Sequence, residues 1–231
     1  IASSVYPVVT EGFGVVPGGL GDTRLVHFSL EHAHRFLDRQ PLHRDFWNPP
    51  IYYPERNVAA FTDTMIGFTP FYSPYRWLGA SPITAYQLWL PTLLALTFLV
   101  AYRALRRLFG IHRLAASAGA YLFAFAGPRL FNVVHPQMLP WLYWALACLA
   151  AGHLLLDPPP GRSAVPEGRR RLWLAVLVAA LVGQAYGAFY PFFFLVFLAG
   201  LGTVVAMASS DARSRVRRLR TDAGREKTVA A

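Results

Sequence analysis

Between Thr84 and Ala208 the chain is a succession of apolar runs whose centres are almost bare of charge. Five of them read as membrane spans: about Thr84 to Leu105, Arg113 to Gly127, Leu139 to Leu156, Leu172 to Tyr190, and a last one opened by Pro191 and ending near Ala208. Several approach the ~20 residues that an α-helix needs to cross a bilayer. The second is short and rich in alanine and glycine, as at close helix–helix contacts. A soluble domain of 231 residues could bury a large core, but one that is 55% hydrophobic would normally carry more than 15% charged residues. The expected fold is therefore an all-α integral membrane protein, a polytopic helical bundle of about five spans.

Charge sets the expected orientation. If the spans alternate, one side receives residues 101–113, 157–171 and 209–231, which hold fifteen of the twenty-two Lys and Arg. The other side holds seven Arg against seven acids and is balanced. The positive-inside rule places the basic segments in the cytoplasm and the first eighty residues outside. The net charge of +10 then reports topology, with attraction to anionic lipid, rather than nucleic-acid binding. The single cysteine, Cys148, lies in an apolar run and excludes a disulfide framework or a cysteine-based metal site. Three regions follow: an outer region 1–83, a helical bundle 84–208, and a basic tail 209–231. The opening IASSVYPVV reads as the outer end of a helix whose start is missing, so the chain is expected to be a fragment.

The outer region concentrates the polar chemistry. Residues 21–67 hold six of the twelve acids and four of the seven histidines. From Asp22 a helical pattern gathers Leu25, Val26, Ser29, Leu30, Ala33, Phe36 and Leu37 on one side. Arg24, His27, Glu31, His32, His34, Arg35, Asp38 and Arg39 fall on the other, with Phe28 out of place. Too short to span, this reads as a helix lying on the membrane surface. Pro41 ends it, and WNPPIYYPERN then reads as an ordered aromatic loop at headgroup level. Asp63 to Leu78, broken by Pro70 and Pro74, reads as re-entrant or interfacial.

Several residues could carry chemistry. Asp22 could cap the surface helix, or serve as a general base or metal ligand, and the roles are compatible. His27, Glu31 and His34 share a helix face at a spacing that admits a divalent ion, although no further ligands are specified. Asp45, Glu55 and Asp63 offer carboxylates for acid–base work. Arg24, Arg56 and Arg129 are outer-face cations able to hold a phosphate, or to snorkel to headgroups. His135, before a proline in the turn between two spans, faces the same compartment as Asp22. Gln184 and Tyr186 lie near the outer end of the fourth span. A Walker loop, a GxGxxG, an HExxH and a GxSxG are all missing from the sequence, so soluble nucleotide chemistry is not supported.

The segments Gly21-Asp22, FWNPPIYYPERNVAAFTDTMIG and AGPRLFNVVHPQMLP resemble the GT-C superfamily of bacterial membrane glycosyltransferases, near its YfhO-like and family-39-like groups. The likeness covers roughly residues 1–200, anchored on that GD, on Pro54 to Asn57 and on His135 to Gln137. It implies a polytopic fold with a long first outer loop, where an acid just after the first helix acts as base or metal ligand. It also implies a polyprenyl-phosphate sugar donor used on the outer face of the bacterial inner membrane. Asp22 matches that acid, but Thr23 follows it where better-known members carry adjacent paired acids. Asp22 from this resemblance, with Asp63 and His135 from their chemistry and position, are the catalytic candidates. Arg24, Tyr53, Arg56, Asn57, Arg129 and Gln137 are the substrate-binding ones, and a divalent metal ion is the cofactor it admits. Two rivals remain. A transporter or flippase for a lipid-linked or small polar substrate would place polar groups at mid-membrane, where this chain has few. The other is a non-catalytic membrane assembly protein.

Overall fold

The computed structural model describes residues 21–125, 134–156 and 167–208. Among them every regular element is helical. The helices are α1 (Asp22–Leu37), α2 (Ser73–Trp77), α3 (Pro82–Leu108), α4 (Arg113–Phe125), α5 (Leu142–Leu155), α6 (Glu167–Ala185) and α7 (Phe189–Ala208). Short 3-10 turns lie at Pro41–His43, Val58–Phe61, Ile66–Phe71 and Pro136–Met138. The chain forms two compact units, Ile1–Pro191 and Phe192–Ala231. In the first, α5 packs against both α3 and α6, and α4 packs on α3. In the second, the described part is the remainder of α7, whose side chains are mostly exposed and apolar, among them Phe193, Phe197 and Leu201.

Each of the five expected spans contains a helix. Among the described residues two stretches are long and apolar enough to cross a membrane, Pro82–Leu108 and Pro136–Leu155. The first turns of α6 carry Arg169, Arg170 and Arg171. Helix α7 is apolar along the whole of Phe189–Ala208. It begins two residues before Pro191, which sits in its first turn, where a missing N–H costs little. Helix α3 starts as its sequence dictates: Pro82 occupies the first helical position and Ser81 accepts a bond from the Thr84 N–H at 3.1 Å.

The outer region departs from a surface helix with a wet polar face. On α1, Glu31, His32 and His34 are buried along with Val26, Leu30 and Ala33, while Leu37 from the expected inner face is 49% exposed. The reason is that residues 41–77 fold back over the polar face and supply polar partners. Glu31 accepts from Arg35 Nε (2.7 Å), Tyr72 Oη (2.7 Å) and Arg76 Nε (2.9 Å). His34 Nδ1 accepts from the Ser73 hydroxyl at 3.0 Å. His32 donates from Nε2 to the Phe46 carbonyl at 3.0 Å, so in the neutral pair His43 Nδ1–H donates to His32 Nδ1, 2.8 Å away. Phe28, the residue out of pattern, stacks on His32 one turn on.

The segment from Asp63 to Leu78, read as re-entrant or interfacial, carries side chains that plug the core. Phe68 and Tyr72 are fully buried in the core with Leu30, Trp89 and Leu93. Its entry docks backbone to backbone on the turn after α6: Met65 N–H donates to the Gly187 carbonyl (3.1 Å) and Gly67 N–H to that of Tyr186 (2.9 Å). So close an approach requires glycine, because a Cβ on Gly67 would overlap the Gly183 carbonyl and the Gly187 nitrogen.

Two outcomes test this architecture. Gly67→Ala forces main chain against main chain, which no rotamer change relieves, and should lower stability by about 3 kcal/mol, seen as a lower midpoint in thermal unfolding of the micellar protein. The His32–His43 pair gives the outer region a pH dependence. Burial holds both imidazoles below the ordinary 6.5. For His32 the Phe46 carbonyl and Asp45 oppose it. For His43 the charges of His32 and Arg35 add to it and Glu31 opposes. With folded values depressed, the stabilisation is complete above pH 6.5 and is lost as pH falls below it. Amide protection factors across residues 41–61, corrected for the intrinsic pH dependence of exchange, should therefore fall between pH 6.5 and 5 in the wild type, and lose that acid-dependent fall in His32→Phe.

Candidate functional site

Asp22 occupies the first position of α1, with Gly21 as the N-cap. Its carboxylate is engaged by the turn before α5. His135 Nδ1 donates to Asp22 Oδ2 at 2.6 Å, across 113 residues of sequence. Gln137 Nε2 donates to the same oxygen at 2.9 Å. His135 stands at the entrance of the 3-10 turn Pro136–Met138, which packs against α1. Residues 135 and 137, two apart around Pro136, thus converge on one carboxylate. With Nδ1 donating, His135 keeps a lone pair on Nε2. The side chains of His135 and Asp22 remain 51% and 40% exposed, so the pair is open to a ligand.

Asp63 precedes the 3-10 turn Ile66–Phe71. Its Oδ1 accepts from the Phe189 backbone N–H at the start of α7. Asp22 and Asp63 have opposite titration environments. The Gln137 and His135 hydrogen bonds, with the His135 charge behind them, hold Asp22 below the ordinary 3.8 against a smaller opposing effect of burial. Burial pushes the Asp63 carboxyl up, the Phe189 N–H opposes, and the negative charge of Asp22 adds to the rise. One carboxyl is kept ionised and the other is pushed towards its acid form, an arrangement that separates base from acid.

The remaining expected residues are distributed differently. Arg24 is exposed on α1, two residues after Asp22. Tyr53 and Arg56 stand on the exposed tip of the aromatic loop. That tip is held by its own neck: Asn57 N–H donates to Asn48 Oδ1 (2.8 Å) and Asn48 Nδ2 to Asp45 Oδ2 (2.7 Å). Asn57 itself has a left-handed backbone (φ 57°), which asparagine tolerates well. These contacts run to Asp45 and Asn48 rather than to Asp22. Arg129 lies outside the described residues, as do residues 1–20, the linker 157–166 and the basic tail. Gln184 is fully buried and bonds the Ala188 carbonyl, while the Tyr186 carbonyl receives the Thr64 hydroxyl at 2.6 Å.

The histidine–carboxylate face of α1 does not gather as metal ligands. Glu31 is taken up by two guanidiniums and a phenol, and His34 by Ser73 and Asp38. Among the described residues no three His, Cys, Asp or Glu side chains converge as a metal set. Around Asp22 the neighbours present N–H donors to the carboxylate, a geometry suited to hydrogen bonding rather than to divalent ligation.

Two polar atoms beside Asp22 are left without partners. Thr23 is 2% exposed and its hydroxyl has no hydrogen-bond partner. The buried Oε1 of Gln137 likewise has none. Gln137 was expected from its HPQ segment, but neither orphan could be read from the sequence, because an unmet hydrogen bond exists only once the chain is folded.

No family model matches the chain, and no curated protein or solved structure is significantly similar to it.

The electrostatic link between the two carboxyls is directly measurable. Asp22→Asn removes the charge that helps raise Asp63, so the infrared band of the protonated Asp63 carboxyl, assigned by its loss in Asp63→Asn, should titrate at lower pH in Asp22→Asn than in the wild type. An unchanged titration would mean that the two groups do not share a field.

Proposed function

We propose that this chain is a glycosyltransferase of GT-C type. It would use a polyprenyl-phosphate sugar on the outer face of a bacterial inner membrane, with the basic tail in the cytoplasm. The observation that carries the reading is the 2.6 Å bond between Asp22 and His135. It joins the acid that the resemblance singles out to the histidine of its HPQ segment. Membrane insertion of α3 and of the stretch Pro136–Leu155 is supported by their length and apolarity. The exposed Leu172, Leu174, Val178 and Val182 of α6 give it an apolar outer surface that suits lipid.

The chemistry divides between the two residues. Asp22 Oδ2 accepts the Nδ1–H of His135, fixes that tautomer and stabilises the imidazolium that forms. His135 Nε2 takes the proton from an acceptor hydroxyl as its oxygen attacks the anomeric carbon of the donor. The bond from that carbon to the phosphate oxygen breaks, polyprenyl phosphate leaves with the electron pair, and the proton stays on His135. Asp22, held acidic by two donors, is the weaker proton acceptor, so the imidazole is the base and the carboxylate orients it. Arg24, exposed on the same helix turn, is the described cation nearest in sequence to offset the departing phosphate.

Sugar transfer from a radiolabelled polyprenyl-phosphate sugar pool, in membranes carrying the full-length protein, tests the reading. Asp22→Asn and His135→Gln should each reduce transfer at least about a hundredfold while the protein stays in the membrane. Loss in Asp22→Asn with full activity in His135→Gln would make the carboxylate itself the base. Transfer indifferent to both would remove the dyad from the mechanism.

A further inference from the structure

Large apolar side chains are left uncovered where the outer region meets α3. Leu37 closes α1, Trp77 closes α2, Leu78 follows it, and Ile83 lies in the first turn of α3; all four are exposed, Trp77 by 62% and Leu78 by 84%. The chain's own bonds bring them to one place. Trp77 Nε1–H donates to Asp38 Oδ1 at 3.1 Å, and the Trp77 ring meets His34 edge-on with centroids 5.9 Å apart. The end of α1 is thereby tied to the end of α2. Val26, Leu30 and Ala33 of α1 are buried in the protein, so Leu37, one turn further on, is the apolar residue that this side of the helix leaves outside. Exposed apolar groups gathered in this way, with a polar rim, mark a contact surface.

Its position selects the partner. Ser81 caps α3, the first described helix long and apolar enough to cross a membrane. From Leu78 to Ile83 the chain reaches at most about 18 Å, so the patch lies near the level at which α3 enters the bilayer. Pro91, Ala95 and Leu99, four residues apart and all exposed, continue the apolar surface down α3. A tryptophan whose N–H is satisfied within the chain and whose ring is open suits the boundary between headgroups and acyl chains. Arg39, exposed two residues after Leu37, supplies a guanidinium at the rim for lipid phosphate.

We propose that Leu37, Trp77, Leu78 and Ile83 dock into the lipid leaflet around the entry of α3, so that α1 meets the membrane by its C-terminal end and not by its apolar face. The proposal rests on the membrane insertion of α3 in the reading above. The other end of α1 is bonded through Asp22 to His135 and Gln137, at the start of the second spanning-length stretch. Helix α1, 16 residues and about 24 Å long, then bridges the entries of both stretches, with the dyad at one end and the lipid contact at the other.

Nitroxide labels on single cysteines test this, in a Cys148→Ser background, with the full-length protein in nanodiscs of phosphatidylethanolamine and phosphatidylglycerol. Leu37→Cys, Leu78→Cys and Ala95→Cys all replace exposed residues, so the labels disturb no core packing. EPR power saturation compares collisions with oxygen, which concentrates in lipid, against collisions with a water-soluble nickel chelate. The Leu37 and Leu78 labels should collide more with oxygen than with nickel, and lie shallower than the Ala95 label. Nickel-dominated collisions at Leu37 or Leu78, with the Ala95 label in lipid, would overturn the anchor and leave the membrane reading standing. Shielding of either label from both reagents would also overturn it, in favour of a protein partner or a second copy on the patch. A Leu78 label as deep as the Ala95 label would replace the surface anchor with a re-entrant segment. Nickel access at all three positions would end the membrane insertion of α3, and the anchor with it.

Discussion

The buried carboxylate of Glu31 is the interaction on which the outer region depends. Taking such a group out of water raises its pKa, yet bonds from Tyr72, Arg35 and Arg76, together with the Arg76 charge, bring it below the ordinary value, and the group stays ionised. Its partners come from its own helix and from the segment 41 and 45 residues further on. Arg76 also donates to the Ala80 carbonyl, just before the cap of α3. A single acid therefore ties α1, the core plug and the start of the first spanning-length helix together. Removing one partner would leave an uncompensated charge in the interior, which is why such networks hold a chain in one arrangement.

The same acid shows how far the sequence could be read. The period of α1 was legible, as were the helical segments after Thr84 and their separation by proline and arginine. What period cannot report is what a polar face meets. Glu31, His32 and His34 share the side that a surface helix would give to water, but Tyr72, Ser73, His43 and the Phe46 carbonyl return to cover it. Those partners lie 11 to 41 residues away, and nothing local to α1 announces them. Phe28 was the one visible irregularity, and it lies against the covered face, stacked on His32.

The site follows a similar division. Asp22, Asp63, His135 and Gln137 were all recognisable as individuals, because polar residues at the edges of apolar runs are few. Their meeting was not, since Asp22 and His135 belong to segments 113 residues apart. Asp22 also had a credible local role as a helix cap. The cap position falls instead to Gly21, and the carboxylate is released for long-range bonding. Tyr53, Arg56 and Asn57 were grouped with Asp22 by resemblance, whereas their loop closes on Asp45 and Asn48 through contacts of its own.

Helix geometry connects the clamp to the site. Nine residues separate Asp22 from Glu31, and at about 100° per residue they project to opposite sides of α1, roughly 180° apart. Glu31 is held by α2 and the plug, and Asp22 by the turn before α5. The helix is thus fixed from two sides by different parts of the chain, and its rotation is set by a buried ion network rather than by the dyad. A weak, half-exposed hydrogen-bonded pair needs such support, because nothing in the pair itself would hold the carboxylate to within a fraction of an ångström. The polar face that looked like the wet side of a surface helix is in this account the frame that aims Asp22. The histidines nearby belong to that frame and not to the chemistry.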